Sequence, residues 1–195
     1  MRIDLTWPDS ADEELQSAVH RVMHAVAGLG GAIGYPEPPG REQTDPWLEE
    51  VLKAVRDGDA RLALARVDGT VQAMGLWRRS PHAVFTRTAE VAKIMAHPSA
   101  RGLGLGRLVV SALTAGARAA GLETLTLSVR GNNHGAIELY EELGFTEWGR
   151  LPNVVEVGRE RYDEVHMSIA LGRAPDVIPR GSGPGGPGSS PRRRP

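Results

Sequence analysis

The 195-residue chain contains no cysteine. It therefore has no disulfide, no thiolate metal site and no cysteine nucleophile. No run approaches the ~18 consecutive apolar residues that a membrane span needs. The opening MRIDLTWPDS lacks the basic-then-apolar layout of a secretory signal. Together these absences predict a cytoplasmic protein. A basic excess is missing too. The formal net charge is −1, and residues 174–195 carry four arginines against one aspartate, which leaves −4 on the rest. That balance argues against nucleic-acid binding. Eleven of the 22 residues from Ala174 to Pro195 are Gly or Pro, too few apolar groups to order a segment. The reading is one domain over residues 1–173, followed by a disordered Gly/Pro/Arg-rich tail over 174–195. At 41% apolar and 24% charged residues, the domain has an ordinary globular composition.

What is present alternates between two periods. Arg2 to Trp7 reads as a strand. Ser10 and Glu13 form a capping-box signature, and Leu15, Val19, Val22, Val26 and Leu29 follow on one helix face until Gly30 and Gly31. Asp45 and Pro46 mark the start of a second helix ending near Gly58. Arg61 to Val67, Asp68-Gly69 and Thr70 to Trp77 predict a β-hairpin. A long strand over Val84–His97, a helix over Leu105–Ala120 and a strand over Leu122–Val129 come next. A short helix within Asn132–Phe145 and strands over Thr146–Leu151 and Arg161–Leu171 complete the order β-α-α-β-β-β-α-β-α-β-β. This is an α/β plan with a mixed, mainly antiparallel sheet flanked by about four helices.

At the one parallel strand–helix–strand step stands HPSARGLGLGR, residues 97–107. It is not a Walker loop, because Arg107 follows Gly106 where Lys is needed. Nor is it a dinucleotide fingerprint, because Val109 occupies the third glycine position. Glycines let a backbone approach a ligand, and the first helical N–H groups lack intrahelical partners. Such a turn suits a phosphate; it is equally the composition of a plain strand-to-helix turn.

Some thirty residues on, NNHGAIELYEELGF adds Asn133, Ala136, Leu139, Tyr140, Gly144 and Phe145 at fixed spacing. With RGLGLG, this pair of motifs resembles the GCN5-related N-acetyltransferase (GNAT) superfamily over about Ala89–Leu151. GGAIGY, AEVAKIMAHPSARGLGLGR, GRLP and RYDEVHMSIAL together look like its tabtoxin-resistance acetyltransferase branch, over most of residues 20–172.

The resemblance implies a GNAT-like sheet and transfer of an acetyl group from acetyl-CoA, with no metal. It implies that the backbone of Arg101, Gly102, Leu103, Gly104, Leu105, Gly106 and Arg107 wraps the CoA pyrophosphate. Ile94, Met95 and Ala96 would hold the pantetheine arm through main chain. Arg101 could pair with phosphate oxygens or stand solvated. Asn133 could contact CoA, and an asparagine there is also an N-cap.

Alone, Tyr140 reads as a core tyrosine on the face of Ala136, Ile137, Leu139 and Leu143. The resemblance makes it the acid that protonates the leaving thiolate. Period-2 alternation puts Glu90, Ala92, Ile94 and Ala96 on one small, apolar face. A carboxylate there is disposed to take a proton from the attacking amine, the role some superfamily members give it. Otherwise Glu90 is a strand-end carboxylate pairing with Arg87 or Lys93.

His20 and His24, four apart without the Glu of a zinc motif, read as surface histidines, and His97 as loop structure. No Ser-His-Asp arrangement is readable. Glu37, Glu42, Asp45, Glu156 and Asp163 fall in loops expected to flank the acceptor. The expected activity is acetylation of a primary amine of a small molecule, an antibiotic or amino-acid-like toxin, by direct attack in a ternary complex. A peptide N-acetyltransferase and a non-catalytic acetyl-CoA sensor are the alternatives. The resemblance also implies a homodimer, while the charge balance and the lack of a long apolar run argue against a nucleic acid or a membrane as partner.

Overall fold

The computed structural model describes residues 1–31, 33–35 and 37–172; the tail expected from Ala174 lies outside them. Its elements are β1 (Ile3–Thr6), α1 (Glu13–Ala27), α2 (Arg41–Arg56), β2 (Ala60–Val67), β3 (Thr70–Arg79), β4 (Thr88–Ala96), α3 (Leu105–Ala119), β5 (Thr124–Arg130), α4 (His134–Glu142), β6 (Thr146–Val157) and β7 (Glu160–Ala170). The order is the one expected from the sequence. One seven-stranded sheet runs β1-β2-β3-β4-β5-β7-β6. Its described pairings are antiparallel except β4 with β5. No helix among the described residues is long and apolar enough to cross a membrane.

Two cores sandwich the sheet. Val109, Val110, Leu113 and Ala117 of α3 pack with Ala89, Val91, Leu125, Leu127 and Phe145 on one face. Leu15, Val19, Val22 and Met23 of α1 and Leu48, Val51 and Leu52 of α2 pack with Leu62, Leu64, Met74 and Met95 on the other. The helix periodicities read from the sequence aim these residues inward.

Several boundaries move. The Ser10–Glu13 capping box does not form. Asp12 is the N-cap of α1, accepting from the Leu15 N–H at 2.9 Å, because its carboxylate sits directly at the positive helix end. The helix stops at Ala27, with Gly28 as C-cap, before Gly30. Helix α2 begins at Arg41, not at Asp45, and carries Pro46 in its interior. Gly40 starts it, its N–H held by Gln43 Oε1 at 3.1 Å. Arg41 then ties the two helices, paired with Glu13 and with Asp45, the latter at 2.9 Å. These early contacts outweigh the one hydrogen bond that Pro46 removes. Strand β4 starts at Thr88 after a 3-10 turn at Ala83–Phe85, and β6 runs on to Val157. The Asp68-Gly69 hairpin forms with φ of 48° and 83°, the turn that matches strand twist.

The candidate active site

Strands β4 and β5 pair only from Thr88–Glu90 to Thr124–Thr126. Beyond Glu90 the edge of β4 that faces β5 has no strand partner among the described residues, and a cleft of about 460 Å³ opens between them. A β-bulge shapes it. Met74 pairs with Met95 but Leu76 pairs with Ala92, so Lys93 and Ile94 together oppose the single residue Gly75. Lys93 takes a φ of 55°. A bulge re-aims every side chain after it. Ile94 and Ala96 therefore pack into the α3 core with Ala89 and Val91, while Met95 joins the α1–α2 core. The expected single face of Glu90, Ala92, Ile94 and Ala96 does not exist, because strict alternation ends at Lys93.

The pantetheine candidates Ile94, Met95 and Ala96 thus lie on the strand whose free edge lines the cleft. Beyond them, Gly102 and Gly104 have φ of 81° and 70°, which turns the chain into α3 without a side-chain cap. The backbone N–H groups of Gly102, Leu103, Gly104, Leu105, Gly106 and Arg107 have no hydrogen-bond acceptor among the described residues. Six such donors at a helix N-terminus have the geometry that suits an anion. The buried Leu105 anchors it from below, and Gly106 faces Leu139 of α4, 3.4 Å from where a Cβ would stand. Arg101 is exposed, with no ion-pair partner among the described residues. Arg107 instead pairs with Glu142 of α4.

Helix α4 closes the α3 side of the cleft. Asn133 lines it and also caps the helix, accepting from the Ala136 N–H at 3.4 Å. Tyr140 is buried, lines the same cleft, and has its ring 5.9 Å from Phe145. Burial pushes its phenol up to about 12. Its hydroxyl makes no hydrogen bond among the described residues, so it is a protonated donor free for a ligand.

On the opposite face Glu90 lines the cleft but is exposed, not enclosed by apolar groups. Neither expected ion pair forms: Arg87 binds Glu123 at 2.5 Å, and the Lys93 ammonium donates to the Ile33 carbonyl. Lys93 also sits 5.5 Å from the Tyr35 ring, and burial lowers its pKa. Arg130 donates to the Gly30 carbonyl at 3.0 Å. These two cations line the cleft and pin the α1–α2 loop across it. They were missed because a lone Lys in a strand and an Arg at a strand end carry no motif.

The acidic loop residues are mostly consumed elsewhere: Asp45 by Arg41, Glu156 by Arg161 and Asp163 by Arg150. The carboxylates in the cleft wall are Glu90 and Glu164. The sequence also failed to signal a polar row in which Ser128 Oγ meets His166 Nδ1 at 3.0 Å and His166 Nε2 meets Glu164 at 3.4 Å. His20 is half-buried between the helices, hydrogen-bonded to Thr44 at 3.2 Å, rather than on the surface. His97 caps the turn before the glycine loop, accepting from the Ser99 N–H at 3.3 Å, as loop structure.

Known proteins resemble this chain in sequence and in fold. A mycothiol acetyltransferase of Thermobispora bispora is 34% identical over 112 residues, 55% of this chain and 34% of that one. The L-methionine sulfoximine/L-methionine sulfone acetyltransferase of Salmonella typhimurium is 36% identical over 87 residues, 43% of this chain and 50% of that one. The chain spans about half or less of the length of these curated relatives. A Salmonella typhimurium acetyltransferase structure, solved with its cofactor acetyl-CoA, superposes with a TM-score of 0.77 at 22% identity, covering 91% of this chain and 99% of that one; the GNAT-like sheet expected from the sequence is therefore the fold. The description of the acetyltransferase (GNAT) family matches residues 32–145, from the loop across the cleft to the end of α4 and Phe145, which is more than half of the chain, and the protein belongs to that family.

Proposed function

We propose that the protein transfers the acetyl group of acetyl-CoA to the primary amine of a small, amino-acid-like molecule, by direct attack while both are bound. The observation that carries this reading is the unpaired edge of β4 leading into six unpartnered N–H groups. That row suits a ligand with an amide-bearing arm and a pyrophosphate head. In this reading the N–H groups of residues 102–107 hold the pyrophosphate, and Arg101 adds a charge-assisted bond. The main chain of Ile94, Met95 and Ala96 holds the arm. Bound acetyl-CoA supplies the activated acyl carbon. Glu90 draws the acceptor ammonium into the cleft. The Tyr140 hydroxyl then donates to the departing sulfur.

The charges of the cleft fit an acceptor that carries both signs. Glu90 and Glu164 suit an ammonium, and Lys93 and Arg130 suit an acidic group. The relative acting on methionine sulfoximine and methionine sulfone is named for amino-acid-like acceptors of this kind. A loop pinned over the cleft by Lys93 and Arg130 favours a small acceptor over a peptide, which needs an open groove. The free Tyr140 hydroxyl favours turnover over metabolite sensing. The same reading places the protein in the cytoplasm as a homodimer, without nucleic acid or membrane as partner. The homodimer rests on the family resemblance alone.

The test is calorimetric binding of acetyl-CoA, followed by thiol release with a thiol-reactive dye across amino acids, methionine sulfoximine, antibiotics and peptides. The chain has no cysteine to react with the dye. Release that requires a small amino acid supports the reading. Release with peptides alone transfers it to protein acetylation. Binding without release under any acceptor favours the sensor, and absence of binding ends the reading.

A further inference from the structure

Ser128 of β5 and His166 of β7 are direct partners in the antiparallel register. Glu164 lies two residues along β7 and so on the same face. The Ser128 Oγ is 3.0 Å from His166 Nδ1, and His166 Nε2 is 3.4 Å from Glu164 Oε2. Ser128 and Glu164 line the cleft that holds Tyr140 and the bulge of β4. His166 stands behind Ser128, with the Trp148 ring 5.3 Å away. The row thus runs from an exposed hydroxyl in the cleft to a partly buried imidazole held by a carboxylate.

We propose that Ser128, His166 and Glu164 form a proton relay that takes up the proton released by the acceptor amine. The inference rests on the acetyl-transfer reading above. Acetylating an ammonium forms one C–N bond, breaks one C–S bond, and leaves an amide, a free thiol and one proton. Ser128 Oγ accepts that proton from the ammonium and passes its own to His166 Nδ1, so the serine ends as it began. The imidazolium formed faces the Glu164 carboxylate, the same logic by which a carboxylate supports a histidine base beside a serine. An imidazole is in general a stronger base than a carboxylate. Glu90 therefore serves to attract the ammonium, and the imidazole is the better sink. Ser128 touches the acceptor; His166 acts through it and Glu164 positions His166. The relay requires Nδ1 to be the bare nitrogen, with Nε2–H directed at Glu164. The other charge on this face is Arg130, two residues beyond Ser128 and paired in register with Glu164.

The tautomer is read first, by 15N NMR of the intact protein at alkaline pH, with the His166→Gln variant to assign the signal. An Nε2–H tautomer is expected, weakened in Glu164→Gln; an Nδ1–H tautomer overturns the relay whether or not any acceptor has been found. Kinetics follow with whichever amine supports thiol release. Ser128→Ala and His166→Gln should each lower kcat at pH 7 on the order of 10²-fold. The double variant should be no worse, the Kd for acetyl-CoA should hold, and the deficit should shrink toward pH 10, where the amine arrives already neutral. A loss that is equal at all pH values, or additive, marks a merely structural pair and overturns the proposal. Failure of the wild-type protein to bind acetyl-CoA would sink the acetyl-transfer reading instead, a result the tautomer does not affect.

Discussion

Gly75 of β3 lies against the Ile94 side chain of β4, and a Cβ at Gly75 would stand inside the space that Ile94 fills, 2.8 Å from Val109 Cγ1. The absence of that one carbon lets the bulge of β4 fold its side chain under α3. Gly75→Ala must displace Ile94 or α3. It should cost about 1–3 kcal/mol, or roughly 2–4 °C of Tm per kcal/mol in a chain of this size. It should also weaken acetyl-CoA binding, because the free edge of β4 moves with Ile94. A thermal melt and a calorimetric titration check both, and a variant that melts like the wild type would show that the bulge does not depend on this contact.

Arg101 is exposed, and no ion pair among the described residues holds it. Arg101→Ala should leave stability within about 0.5 kcal/mol of wild type. It should weaken acetyl-CoA about tenfold, the order of one charge-assisted bond. The loss should shrink as salt is raised, since the contact is at the surface. Calorimetry at two salt concentrations measures it.

Burial takes the Tyr140 phenol from 10.0 to about 12. Below pH ~10 the phenol is neutral in both the folded and the unfolded chain. Between ~10 and ~12 the unfolded chain gives up its proton first, so stability falls as pH rises, by about 3 kcal/mol from this group. Tyr140→Phe keeps the contact with Phe145 and removes that fall. Lys93 acts in the opposite sense, its ammonium being depressed by burial, but it is common to both proteins and cancels in the comparison. Urea unfolding of each at pH 9 and pH 11.5 reads the difference. The same variant should lower kcat roughly 10–100-fold with acetyl-CoA affinity unchanged, if the hydroxyl meets the leaving sulfur.

Lys93→Met keeps the apolar stem and removes the bond to the Ile33 carbonyl and the cation beside Tyr35. Stability should change by less than about 1 kcal/mol, because the variant also avoids burying an ammonium. The α1–α2 loop, which then keeps the Arg130 bond at Gly30 but loses the one at Ile33, should be cut faster by protease. The KM for the acceptor should rise several-fold while acetyl-CoA binding stays level. Unchanged cleavage would show that the loop is held by its own packing.

Local chemistry carried much of this fold into the sequence. Apolar spacing announced α1, α3 and the strands, because one buried face imposes a 3.6- or 2-residue period. Asp68-Gly69 announced the hairpin, because few residues tolerate its positive φ. The glycine loop and the short helix after it announced a candidate anion site and, by resemblance, the family. The start of α2 was misplaced, because contacts from Arg41 to Glu13 on another helix outweighed the usual meaning of Asp-Pro.

What the sequence determined by itself was the order of elements, the glycine-rich turn into a helix at Arg101–Arg107 and the identity of the helix that carries Tyr140; each depends on neighbours within one or two turns of chain. Tertiary structure decided the rest of the site. The bulge at Lys93 follows from a glycine eighteen positions earlier on another strand, and it reverses which face Ile94 and Ala96 present. Ser128 and His166 stand 38 residues apart and meet only through the register of β5 with β7. No local period or turn preference encodes such a pairing, because it is set by which strands the two cores bring side by side.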